Sequence, residues 1–122
     1  MIPGSERRLH QRVECNGTAT ILVRQDAPRC EAKILDLSFG GCLLELAKPI
    51  ELTAETKVEL TFTVNYEPFR VYAEVRSVRP DNKVGFQFHE LSPRTRRRVK
   101  ELIADLGGEG SVKDTYEVRP LV

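Results

Sequence analysis

Asp36-Leu37-Ser38-Phe39-Gly40-Gly41 joins two apolar strands through a tight glycine turn, and the chain is organised around it. Upstream, Ala32, Ile34 and Leu37 interleave with Lys33 and Asp36, as in a strand with one buried face. Downstream, Cys42-Leu43-Leu44-Glu45-Leu46 resumes an apolar strand. Between them stand a carboxylate, a hydroxyl and two glycines. Paired glycines let the backbone take positive φ and let another molecule approach the main chain closely. The self-contained reading is a hairpin or bulge in which Asp36 and Ser38 hydrogen-bond their own backbone. A functional reading needs a second stretch, and the N-terminus supplies one.

Outward from the turn, short strands dominate. Ala19, Ile21 and Val23 alternate with Thr20, Leu22 and Arg24, which predicts a first strand from Thr18 and a turn at Gln25-Asp26-Ala27-Pro28. The second strand covers about Cys30 to Leu37 and the third follows the glycines; residues 47–56 read as a connecting loop. Val58, Leu60, Phe62 and Val64 form the clearest alternation, with Lys57, Glu59, Thr61 and Thr63 facing water. After a turn at Asn65-Tyr66-Glu67-Pro68, a fifth strand runs from about Phe69 to Arg79, its inward set Phe69, Val71, Ala73, Val75 and Ser77. Pro80-Asp81-Asn82 turns the chain into a sixth strand with Val84, Phe86 and Phe88 on one side. Six strands joined by turns predict an all-β fold, a small antiparallel barrel or curled sheet. One helix closes it: Ser92 is the expected N-cap, Pro93 the first helical residue, and Val99, Leu102, Ile103 and Leu106 make an apolar stripe that Gly107-Gly108 ends.

Length and charge set outer bounds. A chain of 122 residues makes one domain, long enough to bury about two thirds of its unfolded surface. Its 19 basic and 18 acidic residues nearly cancel, so no global field attracts duplex nucleic acid or an anionic membrane. Residues 1–8 have no apolar core for a secretion signal and nothing later is long enough to span a bilayer, so a cytoplasmic location without membrane insertion is expected. Cys15, Cys30 and Cys42 are odd in number, widely spaced and without a CxxC pair, which predicts reduced thiols and no metal site. The expected organisation is a flexible, charged arm over residues 1–14, a barrel with its helix over 15–107, and a tail over 108–122 that either frays or docks through Tyr116-Glu117-Val118.

The arm carries the second stretch. Arg8 and Arg12 stand four apart, with Arg7 adjacent and His10 between them. A guanidinium is planar, permanently charged and forked, which suits phosphate oxygens and the O6/N7 edge of guanine, and it stacks on a purine face. Asp36 has the complementary chemistry: a carboxylate accepts from the ring and amino N–H groups of guanine. Ser38 can donate to a phosphate oxygen, and Gly41 leaves room. Together the two stretches describe a pocket for a flat, anionic, guanine-bearing ligand.

Arg8-x-x-x-Arg12 followed by Asp36-x-Ser38-x-x-Gly41 at a strand junction resembles the signature of PilZ domains, which bind cyclic di-GMP. Glu6-Arg7-Arg8, Asp36-Leu37-Ser38-x-Gly40-Gly41-Cys42-Leu43, Val84-Gly85-Phe86-Gln87-Phe88 and the terminal helix extend the resemblance over about residues 6 to 106. It implies a six-stranded antiparallel split β-barrel with a C-terminal helix. It also implies cyclic di-GMP held between arm and barrel rim by Arg7, Arg8, Arg12, Asp36, Ser38, Gly40 and Gly41. In such proteins an arginine before the RxxxR motif favours a stacked pair of nucleotides, and Arg7 holds that place. No cofactor is implied beyond this ligand. The expected role is a monomeric or weakly dimeric receptor or adaptor, not an enzyme. Its arm orders on binding and changes a surface for a downstream protein, with motility, exopolysaccharide or biofilm-type output.

Two other classes fit parts of the pattern. A single-strand nucleic-acid-binding barrel would use aromatic platforms, but Phe62, Phe69, Phe86 and Phe88 all fall on inward positions, and no DNA or RNA partner is expected. A protein-interaction module would leave the arginines unoccupied. A triad of Ser38, Asp36 and His10 lacks the GxSxG context of a hydrolase. The basic run Arg94, Arg96, Arg97, Arg98 and Lys100 lies in the helix's first turns, where cations oppose the helix dipole. It is either a solvated face, an extension of the anion site, or a contact for an acidic partner.

Overall fold

A computed structural model describes residues 12–23 and 29–107. Arg7, Arg8, His10, the turn at 25–28 and the tail from residue 108 lie outside the described residues. Six strands are followed by one helix: β1 (Val13–Leu22), β2 (Cys30–Leu37), β3 (Gly41–Leu46), β4 (Lys57–Val64), β5 (Glu67–Arg79), β6 (Lys83–Phe88) and α1 (Pro93–Gly107). All pairings are antiparallel and the ring closes in the order β1-β2-β3-β6-β5-β4. Closure removes the exposed strand edges that would otherwise template association.

The alternation in β4 becomes the core. Val58, Leu60, Phe62 and Val64 are buried, and Phe69, Val71, Ala73 and Val75 meet them from β5. Phe62 stacks on Phe69 at 5.1 Å between centroids and on Phe88 at 6.3 Å. A fully buried side chain of this size contributes about 1.5–3 kcal/mol. The core contains no polar or charged residue among those described. The phenylalanines expected to point inward, Phe62, Phe69, Phe86 and Phe88, are all buried and offer no stacking platform to a base.

Two boundaries and the facing of one residue differ from the sequence pattern, each for a physical reason. β1 begins at Val13, not Thr18, so Val13 and Glu14, counted above with the arm, belong to the barrel. Its first residues are out of phase because the β1–β2 register shifts between Glu14 and Gly17. A bulge of this kind adds a residue and breaks the period of two. β5 begins at Glu67, not Phe69. Asn65 and Tyr66 alone make the loop, with φ of 54° and 65°, the left-handed pair of a two-residue hairpin. Pro68 is tolerated in β5 because β6 pairs only from Ala73 onward, leaving β4 as its sole strand neighbour. Ser77, expected inward, is only half-buried, because the β5–β6 register shifts between Val75 and Ser77.

α1 starts as its sequence dictates. Ser92 Oγ accepts the Thr95 N–H at 3.2 Å, an N-cap bond, with Pro93 next in line. Val99 and Leu102 are buried, and Ile103 and Leu106 pack beside them on the core. The basic run divides. Arg98 Nε donates to Glu67 Oε2 at 3.0 Å, a terminal N–H donates to the Pro68 carbonyl at 2.7 Å, and the guanidinium lies 4.5 Å from the Phe69 ring centroid. It therefore fastens the helix to the start of β5. Arg94, Arg97 and Lys100 are exposed.

Candidate functional site

The β2–β3 hairpin positions the motif. Ser38 N–H donates to the Gly41 carbonyl at 2.8 Å and Gly41 N–H returns to the Ser38 carbonyl at 3.4 Å, leaving Phe39-Gly40 as the loop. Ser38 Oγ accepts the N–H groups of Gly40 and Gly41, each at 3.2 Å, and donates to the Gly41 carbonyl at 3.3 Å. The hydroxyl thus serves its own turn first. Its one donor bond is long, so it is the contact a better acceptor displaces. Phe39, at the tip, lies 5.9 Å beneath the Arg96 guanidinium, joining α1 to the hairpin.

Gly41 has a structural reason of its own. A Cβ there would stand 2.0 Å from the Phe86 carbonyl oxygen on β6. The barrel requires the glycine whether or not anything binds beside it.

The strand registers align a row across the outer face: Asp36 opposite Leu43, Leu43 opposite Gly85, and Gly85 opposite Ser77. With neighbouring strands about 4.8 Å apart, the row spans about 14 Å. Above it lies a cleft of about 350 Å³. Arg12, Asp36, Ser38, Gly40 and Gly41 bound one side, and Arg76, Ser77 and Arg79 the other. Leu43, Gly85 and Gln87 lie between them as floor, and a side chain at Gly85 would crowd Ser77 Oγ at 2.8 Å from its Cβ. Five of the seven residues inferred from sequence therefore line one cleft. Arg7 and Arg8 are the two outside the described residues.

Asp36 is the carboxylate of this cleft. Its burial holds the carboxyl above the ordinary range. The Arg12 and Arg79 guanidiniums and the Leu43 N–H pull it down, whereas Glu14 pushes it up. Nearby thiols are quiet: burial, with Asp36 adding to it, pushes Cys15 up to about 11, and Cys42, wholly buried, is raised further. All three cysteines are free. Among the described residues no cluster of His, Cys, Asp or Glu could hold a metal, and no helix is long and apolar enough to cross a membrane.

Arg76, Ser77 and Arg79 were not among the residues singled out from sequence. A signal for them existed. Strict alternation from Val75 would turn Ser77 and then Arg79 inward, and a guanidinium in an apolar core is implausible, so the period must break. The shift between Val75 and Ser77 is that break.

This is a closed six-stranded antiparallel barrel, with a polar, arginine-bearing cleft beside its β2–β3 hairpin and a helix packed on the ring. The PilZ domain family model matches residues 6–105, and the chain belongs to that family. Solved structures share the fold. The PilZ domain of YcgR from Escherichia coli with cyclic di-GMP is 22% identical, with a TM-score of 0.66 over 82% of this chain and 91% of that one. The K. pneumonia MrkH complex with cyclic di-GMP is 18% identical, with a TM-score of 0.70 over 82% of this chain and 51% of that one. The Bacillus subtilis inhibitor of motility MotI is 15% identical, with a TM-score of 0.66 over 79% of this chain and 48% of that one. No curated protein matches the chain.

Proposed function

We propose that the chain is a cytoplasmic receptor for cyclic di-GMP, binding it in the cleft beside the β2–β3 hairpin. The observation that carries this is the meeting of Arg12, the second arginine of RxxxR, with Asp36, Ser38 and Gly41 around one cavity. Family membership and the ligand held by YcgR and MrkH support it. Arg12 contacts a phosphate or stacks on a guanine, Asp36 accepts guanine N–H groups, and the Ser38 hydroxyl turns from the Gly41 carbonyl to a phosphate oxygen. Arg7 and Arg8 complete the cradle from the segment that precedes β1.

The protein acts as a receptor or adaptor rather than an enzyme. Before binding, the arm's clustered guanidiniums repel one another; two phosphates neutralise them and order the arm against the barrel. The ordered arm changes a surface read by a downstream protein, with output in motility, exopolysaccharide or biofilm control. A charge-assisted hydrogen bond contributes about 1.5–3 kcal/mol, so loss of one guanidinium weakens binding about tenfold to a hundredfold. Titration calorimetry with cyclic di-GMP tests this on the unaltered chain, Arg8→Ala and Asp36→Ala. The expected result is saturable binding that each substitution weakens at least tenfold. Equal affinity in all three proteins would refute the assignment.

A further inference from the structure

We infer that Arg76 and Arg79 form a second anion-recognising wall, which takes the far phosphate of a two-phosphate ligand lying across the cleft. This rests on the receptor reading above and adds residues that neither arginine motif nor hairpin motif contains. Both side chains are exposed and line the cleft from β5, on the side facing Asp36 and the hairpin. Neither has an ion-pair partner among the described residues, unlike Arg70 of the same strand, which pairs with Glu59, and Arg98, which pairs with Glu67. An arginine paired to a carboxylate is already committed; Arg76 is not, and Arg79 acts on Asp36 only from beyond ion-pair distance.

Their placement is built rather than incidental. The register shift between Val75 and Ser77 breaks the alternation and brings Arg76, Ser77 and Arg79 to the same cavity. Gly85 keeps the floor low directly opposite Ser77. Arg79 acts electrostatically on Asp36, so its charge reaches across the cleft to the hairpin side.

The placement of cations on both sides of the cleft favours a ligand with two separate phosphates. Three guanidiniums, from Arg12, Arg76 and Arg79, face the single carboxylate of Asp36 among the cleft-lining residues. The excess is two positive charges within the lining, before Arg7 and Arg8 are counted, so the cleft favours an anion carrying more than one phosphate charge. A cyclic dinucleotide carries its two phosphates on opposite sides of a ring much narrower than the row from Asp36 to Ser77, so the long side chains of Arg12, Arg76 and Arg79 reach inward from the two ends of the row to meet them. A mononucleotide would satisfy one wall and leave the other uncompensated.

The test is titration calorimetry of the full chain with cyclic di-GMP, comparing the unaltered protein with Arg12→Ala, Arg76→Ala/Arg79→Ala and Arg70→Ala. Melting temperatures establish that each variant is folded. The expected result is an affinity loss of tenfold or more for Arg12→Ala and for the β5 double variant, and less than threefold for Arg70→Ala. That last variant removes one arginine from the same strand away from the cleft, a control for charge lost outside it. No binding by the unaltered chain overturns the receptor reading and the wall with it. Binding that Arg12→Ala weakens but the β5 double variant retains within tenfold overturns the wall alone. A loss in Arg70→Ala as large as in the double variant also overturns it, because the effect would then be that of overall charge.

Discussion

Gly41→Ala separates a barrel-building glycine from a ligand-clearing one. The added Cβ would sit 2.0 Å from the Phe86 carbonyl oxygen, whereas carbon and carbonyl oxygen ordinarily meet at about 3.3–3.6 Å. The strands must therefore part by roughly 1.3 Å, since the obstacle is backbone and has no rotamer to yield. The ladder at that point includes the bond from Phe88 N–H to the Gly40 carbonyl at 2.8 Å. Losing it costs about 0.5–1.5 kcal/mol, and overpacking a close contact adds about 1–3 kcal/mol. The sum is about 1.5–4.5 kcal/mol, which for a domain of this size lowers the melting temperature by roughly 5 °C or more. Thermal and urea unfolding without nucleotide measure it. A variant that melts with the unaltered protein yet fails to bind cyclic di-GMP would refute the reasoning and show the glycine to be kept for the ligand.

Two further outcomes follow from the same geometry. Asp36 holds its proton more tightly folded than unfolded, since burial raises it from an ordinary value of 3.8; its cost to stability is absent below that value and grows as pH rises through the folded pKa. Asp36→Asn should thus melt at or above the unaltered protein's temperature at pH 7, with the difference vanishing near pH 4, although it weakens nucleotide binding; a variant less stable at pH 7 would contradict this. Tyr66, fully exposed at φ 65° in the β4–β5 loop, should gain about 1 kcal/mol on replacement by glycine, which takes left-handed backbone without strain. Urea unfolding reads that gain, and an unchanged midpoint would count against it.

Most of what is local was legible in the chain. The period of two in Val58, Leu60, Phe62 and Val64 located β4 and its core face, because a pleated strand sends alternate side chains to opposite sides. The serine–proline pair marked the start of α1, because the first helical N–H groups need an outside acceptor and proline lacks the one it would leave orphaned. The cleft was half legible. Arg12 and the hairpin stood out because guanidinium, carboxylate, hydroxyl and glycine at those spacings carry their chemistry wherever they are placed.

What the tertiary structure decided depends on residues distant in sequence. That β3 pairs with β6, and β4 with β1, is a property of ring closure that no window along the chain contains. Those pairings brought Gly41 against Phe86 and faced Arg76 and Arg79 toward Asp36 across three strand spacings, and the docking of α1 set Arg98 on Phe69. Three bulges did the remaining work, starting β1 early, turning Asp36 off the buried face of β2 and turning the end of β5 outward. A bulge inserts one residue where the partner strand has none, so it becomes visible only when both strands are present.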